Sequence, residues 1–119
     1  MKTILLADYD ASVCTMQKDI LTQSGYVIVG EVMDDKQVVT KFKELTPNLT
    51  IIGFHPSEFD GIQAFKAIKS IESTANVIMC SRFCAHSAVV ESIQLGAKDW
   101  VPIPFQPESL VGSVKKVLK

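Results

Sequence analysis

A chain of 119 residues, 47% of them hydrophobic and 21% charged, makes one domain of ordinary size that buries on the order of two-thirds of its unfolded surface. Twelve basic against thirteen acidic residues leave a net charge of −1, which argues against a dedicated nucleic-acid or polybasic membrane surface. Arg82 is the only arginine, so a phosphate clamp built from several guanidinium groups is excluded.

The amino-terminal "MKTILLAD" starts like a signal peptide, but its apolar part is short and ends at Asp8 and Asp10. No run approaches the length of a membrane span. Cys14, Cys80 and Cys84 form an odd set with no C-x-x-C pair, which points to reduced thiols in a cytoplasm.

Ile4 to Ala7 is an apolar run of strand length, read as a fully buried first strand. Asp10 or Ser12 caps a first helix in which Val13, Met16, Ile20 and Leu21 keep helical spacing, and Gly25 follows its end. "YVIVGEV" is a second strand. Asp34 or Asp35 caps a second helix with Val38, Phe42 and Leu45 on one face, broken by "TPN". Leu49 to Ile52 is a third buried strand, followed by a loop over 54–60.

Ile62, Phe65 and Ile68 mark a third helix, and "NVIMC" a fourth strand. Val89, Val90 and Ile93 line a fourth helix that stops at Gly96, and "WVPI" is a short fifth strand in which Pro102 marks an end or an edge. Pro107 opens a last helix with Leu110, Val111, Val114, Val117 and Leu118 facing inward. Unbroken apolar strands alternating with amphipathic helices predict an α/β fold: a doubly wound five-stranded parallel sheet with five helices, in one domain over 1–119.

Ligands of such sheets sit beyond the carboxyl ends of the strands, at the switch in strand order. Those ends carry Asp8, Tyr9 and Asp10 after the first strand, and Gly53, Phe54 and His55 after the third. Ser81 and Arg82 follow the fourth, and Ile103 and Pro104 the fifth.

At these residues the chain resembles the receiver domain of two-component response regulators, of the single-domain chemotaxis (CheY-like) type. The resemblance covers the whole chain and is carried by "ILLADYDA", "KELTPNLTII", "SIQLGAKDWV" and "PFQPESL". It implies an aspartate at the end of the third strand that accepts a phosphoryl group, two acids after the first strand that hold Mg²⁺, a Ser or Thr ending the fourth strand, and a Lys before a proline after the fifth. Laid on this sequence, the phosphoacceptor position is Gly53. One acid is Asp8, with Tyr9 at the other position; the hydroxyl is Ser81; and the lysine position is Ile103, followed by Pro104. The resemblance also implies a cis Ile103–Pro104 bond, since receivers commonly have one there.

A phosphoacceptor needs a carboxylate to attack phosphorus and a divalent ion to neutralise developing charge. Glycine supplies no nucleophile, and Asp8 alone is a thin Mg²⁺ site. Losing both the acid and the lysine leaves no unpaired charge behind. These residues predict a receiver that takes no phosphoryl group and serves as a protein-binding module: not an enzyme, with no cofactor and no metal. Its partners would be a signalling kinase, a motor or an output protein, with the chain as a monomer or weak dimer. One rival is a working receiver that uses Asp60 or Ser57 as acceptor. The other is a flavodoxin-like nucleotide or flavin binder, which "DYDASVC", acidic and without glycine, does not favour.

The remaining residues carry paired readings. Asp8 is a remnant metal ligand or a partner of the following loop, and Asp10 a substitute acid or a helix cap. His55 with Asp8 would offer a transition-metal pair; the plainer reading is a solvent-facing loop histidine. Ser81 is a switch hydroxyl or one satisfied by backbone. Arg82 reaches toward Asp8 or is solvated. Cys80 is an inert core thiol or a redox partner of Cys84. Trp100 matches the family's aromatic switch position, and with Lys98 and Lys115 it is expected to form the partner surface on the fourth helix, fifth strand and fifth helix.

Overall fold

In the computed structural model, which describes residues 2–82 and 86–118, the elements alternate as the apolar spacing predicts. They run β1 (Thr3–Ala7), α1 (Ala11–Gln23), β2 (Val27–Val32), α2 (Val38–Leu45), β3 (Leu49–Gly53), α3 (Gly61–Ile71), β4 (Val77–Ser81), α4 (His86–Gln94), β5 (Asp99–Pro102) and α5 (Pro107–Val117). The strands form one five-stranded sheet in the order β2-β1-β3-β4-β5, with parallel pairing throughout. The winding reverses between β1 and β3, so the crevice expected of such sheets opens at Asp8 and Gly53.

Alternation along the strands divides the core. Leu5, Ala7, Ile52, Val77 and Met79 face the helices α2 and α3, where Phe42, Phe65 and Ile68 meet them. Ile4, Leu6, Leu49, Ile51, Ile78 and Cys80 face α1 and α5, against Leu21, Leu110 and Val114. Each buried aliphatic side chain of this kind stabilises the fold by about 1.5–3 kcal/mol before chain entropy is counted.

Helix α1 begins where Asp10 accepts the Ser12 N–H at 3.0 Å, the cap the sequence suggests. The second cap differs. Asp34 caps a short 3₁₀ turn over Asp35–Gln37, and α2 proper starts only at Val38. Three helix residues expected inside are exposed: Met16, Val90 and Ile93. On α4 the buried positions are Ala88 and Ser92, so this helix lies close on small side chains and turns its branched residues outward. On α1 the polar Gln17 takes an inward place, its amide directed at Cys80 Sγ. The short β5 is an edge strand that ends at Pro102, and the Ile103–Pro104 bond is cis.

Candidate functional site

Asp8 follows the last residue of β1, and its N–H donates to Val32 O at 2.9 Å, which fixes where the side chain emerges. The carboxylate is 1% exposed. Its Oδ1 accepts the Asp10 N–H at 2.9 Å and lies 2.9 Å from His55 Nε2. With Asp8 as a carboxylate, which only accepts, His55 Nε2–H is the donor of this pair. Oδ2 is buried, has no hydrogen-bond partner among the described residues, and rests against Gly53. A Cβ added to Gly53 would fall 2.7 Å from Asp8 Cγ.

His55 is therefore no solvent-facing loop residue: it is 5% exposed. The 54–60 loop folds back on itself, with Phe59 N–H donating to His55 O at 2.8 Å and His55 N–H to Phe59 O at 3.0 Å, and Phe59 inserts into the core. This turn aims the imidazole inward. Tyr9, 40% exposed, meets the imidazole edge-on with ring centroids 4.5 Å apart. An aromatic-rich entry to the loop and a Phe four residues on were the only signs of this arrangement in the sequence.

The other acid of the crevice is engaged as well. Asp10 accepts the Ser12 hydroxyl at 2.6 Å, and this bond, ahead of the Ser12 and Val13 N–H groups and Arg82, holds its carboxyl below the usual range despite some burial. Arg82 reaches Asp10 Oδ2 at 3.6 Å rather than Asp8. Ser81 Oγ donates to Phe54 O, which ties β4 to the exit of β3. Ile103 packs into the core on the α1 and α5 side, so no side chain from the lysine position enters the crevice.

Cys80 and Cys14 are fully buried, and burial, followed by the charge of Asp8, pushes the Cys14 thiol up to about 12. Cys84 lies outside the described residues.

Trp100 is half-buried, edge-on to Phe54 at 6.5 Å between centroids. The lysines expected beside it separate. Lys98 is exposed just before β5, whereas Lys115 lines an open groove of about 550 Å³ between α1 and α5, with Ile20, Pro107 and Val111. The α5 lysine that turns to β5 is Lys116, 3.2 Å from Asp99 Oδ2, a residue the sequence did not single out. Gly61 was also missed. It opens α3 so close to β3 that a Cβ there would collide with the Gly53 carbonyl and meet Ile52 Cγ2 at 3.0 Å.

A doubly wound parallel sheet with an acid at the head of its crevice and a hydroxyl closing β4 defines a receiver-type α/β domain. The chain belongs to the response regulator receiver domain family, whose model matches residues 4–115. It is 38% identical over 118 residues to the chemotaxis protein CheY of Thermotoga maritima, covering 99% of this chain and 98% of that one. It is 40% identical over 115 residues to CheY of Bacillus subtilis, covering 97% and 96%. Among solved structures, the CheX–CheY–BeF3–Mg complex of Borrelia burgdorferi contains a chain that superposes with a TM-score of 0.93 at 22% identity, over 99% of this chain and 90% of that one, a likeness of fold.

The residues here do not fit the Mg²⁺ that the family implies. Mg²⁺ keeps a near-octahedral shell of oxygens at about 2.0–2.1 Å, usually with one or two carboxylates among them. One Asp8 oxygen already accepts two N–H groups and the other is pressed on Gly53, while Tyr9 offers no carboxylate. No group of three or more His, Cys, Asp and Glu suited to a metal is found among the described residues. Nor is any described helix long and apolar enough to cross a membrane.

Proposed function

We propose that this domain is a pseudo-receiver: a protein-binding module of a two-component or chemotaxis-type signalling system that works without a phosphorylation cycle. The observation that carries this reading is the end of β3. There Gly53 stands where the family's acceptor carboxylate belongs, and the Asp8 side chain is packed on its backbone. The kinship to chemotaxis CheY proteins supports the class of pathway. It also supports protein partners of the kind such a pathway supplies. We take these to be a kinase, a motor or an output protein, met in the cytoplasm by one domain over 1–119 as a monomer or weak dimer. Trp100 and Lys98 on and beside β5 are the side chains we assign to partner contact, since Trp is among the residue types enriched at binding hot spots.

Asp60 and Ser57 remain the rival acceptors. Asp60 is already the cap of α3, accepting the Gln63 N–H at 3.1 Å, which speaks for a structural role. Incubation of the purified protein with Mg²⁺ and acetyl phosphate, followed by intact-mass measurement, decides the matter. The expected result is an unchanged mass. A stoichiometric, base-labile adduct, mapped to Asp60 or any other residue, would overturn the reading.

A further inference from the structure

We propose that His55 is a built-in ligand of its own crevice: it takes the Asp8 oxygen that an external cation would need and thereby pins the 54–60 loop to β1. Three observations converge. The His55 imidazole and the Asp8 carboxylate are 2.9 Å apart, both almost wholly buried, and they come from different strand ends, 47 residues apart. The second Asp8 oxygen is buried, finds no partner among the described residues and lies on Gly53, so the carboxylate presents no lone pair to solvent. The acid at the mouth, Asp10, is held by Ser12 and Arg82, so each carboxylate of the crevice has an internal partner.

A buried carboxylate oxygen with nothing to accept is costly. It is tolerated here because the other oxygen accepts two N–H donors and because glycine leaves room for the group to lie flat on the strand. His55 and Gly53 thus act together. One supplies the donor, the other the space, and neither alone would keep Asp8 turned inward. The inward carboxylate closes the crevice from within, and Tyr9, edge-on to the imidazole, covers it.

This inference gives the non-phosphorylated reading its physical agent and rests on that reading for its place in signalling. The two fail separately: the reading fails on phosphorylation of the natural chain, the inference on ion binding and proton exchange. Mn²⁺ alone is the probe, followed by paramagnetic titration of the natural chain, His55→Ala and Gly53→Ala, each first checked for a cooperative melt. Freed from its donor or driven off its glycine, Asp8 should turn toward solvent. Both folded variants should then bind Mn²⁺ at least tenfold more tightly than the natural chain. Equal Mn²⁺ affinity in all three overturns the proposal. A second measurement needs no variant: long-range proton–nitrogen spectra of the natural chain should show a slowly exchanging proton on His55 Nε2. A bare Nε2, or one whose proton exchanges as fast as in a free imidazole, overturns it equally.

Discussion

The carboxylate of Asp8 lies on the backbone of Gly53, in the space that a side chain at position 53 would fill. In a family whose chemistry calls for acids at both of these strand ends, the two positions here cannot both carry a side chain in their present arrangement. The crevice sets Asp8 beside the His55 imidazole, with Asp10 and Arg82 paired at its mouth.

An acid placed at position 53 should not by itself supply the chemistry, because Tyr9 and Ile103 still offer neither a second carboxylate nor an ammonium group. Gly53→Asp puts a Cβ 2.7 Å from Asp8 Cγ and sets a second carboxylate beside the first. Overpacking of this kind costs about 1–3 kcal/mol. The expected variant melts earlier in urea and keeps an unchanged mass after treatment with acetyl phosphate and Mg²⁺. A variant as stable as the natural chain that also takes a stoichiometric phosphoryl group would show that Asp8 moves aside freely.

Two glycines give opposite expectations. Gly61→Ala forces its methyl group into the Gly53 carbonyl, a backbone contact with little freedom to yield, and should cost about 3 kcal/mol or more. Gly112, in the exposed part of α5, has nothing within 4 Å of an added Cβ. Its replacement by alanine should stabilise the domain by about 0.5–1 kcal/mol through helix propensity. Urea melts of both variants check the pair; similar effects of the same sign would contradict the close approach of α3 to β3.

Asp99 links β5 to α5 and supplies a pH dependence of known sign. Burial raises its carboxyl, but the Ser113 hydroxyl at 2.7 Å, the Trp100 N–H at 2.8 Å and Lys116 together hold it below the usual carboxylate range. A carboxyl depressed in the folded state contributes stability above its unfolded pKa and loses it as pH falls through the folded value. Asp99→Asn should thus cost about 1 kcal/mol at neutral pH. The gap to the natural chain should close as the pH is lowered below the ordinary carboxylate pKa near 3.9. Melting curves from pH 7 to pH 3 test this, and a gap that stays constant would remove Asp99 from the account.

Much of this architecture is local and so legible in one dimension. Apolar runs of strand length and helical spacing place the five strands and five α-helices of the described residues, because each carries its own apolar positions. Asp10, Gly25 and Pro107 mark helix ends for reasons internal to a single turn of chain. Gly53, Tyr9 and Ile103 are equally plain, since the absence of a carboxylate or an ammonium group needs no coordinates. What the tertiary structure decided is which side chains meet around them. His55 reads as a loop histidine until the His55–Phe59 turn directs its ring inward and the β1–β3 pairing brings Asp8 beside it. Arg82 finds Asp10, Lys116 finds Asp99, and α4 turns Val90 and Ile93 outward for the same reason. Partners far apart in the chain are chosen by strand order and helix approach, and those are settled by packing of the whole sheet rather than by any one segment.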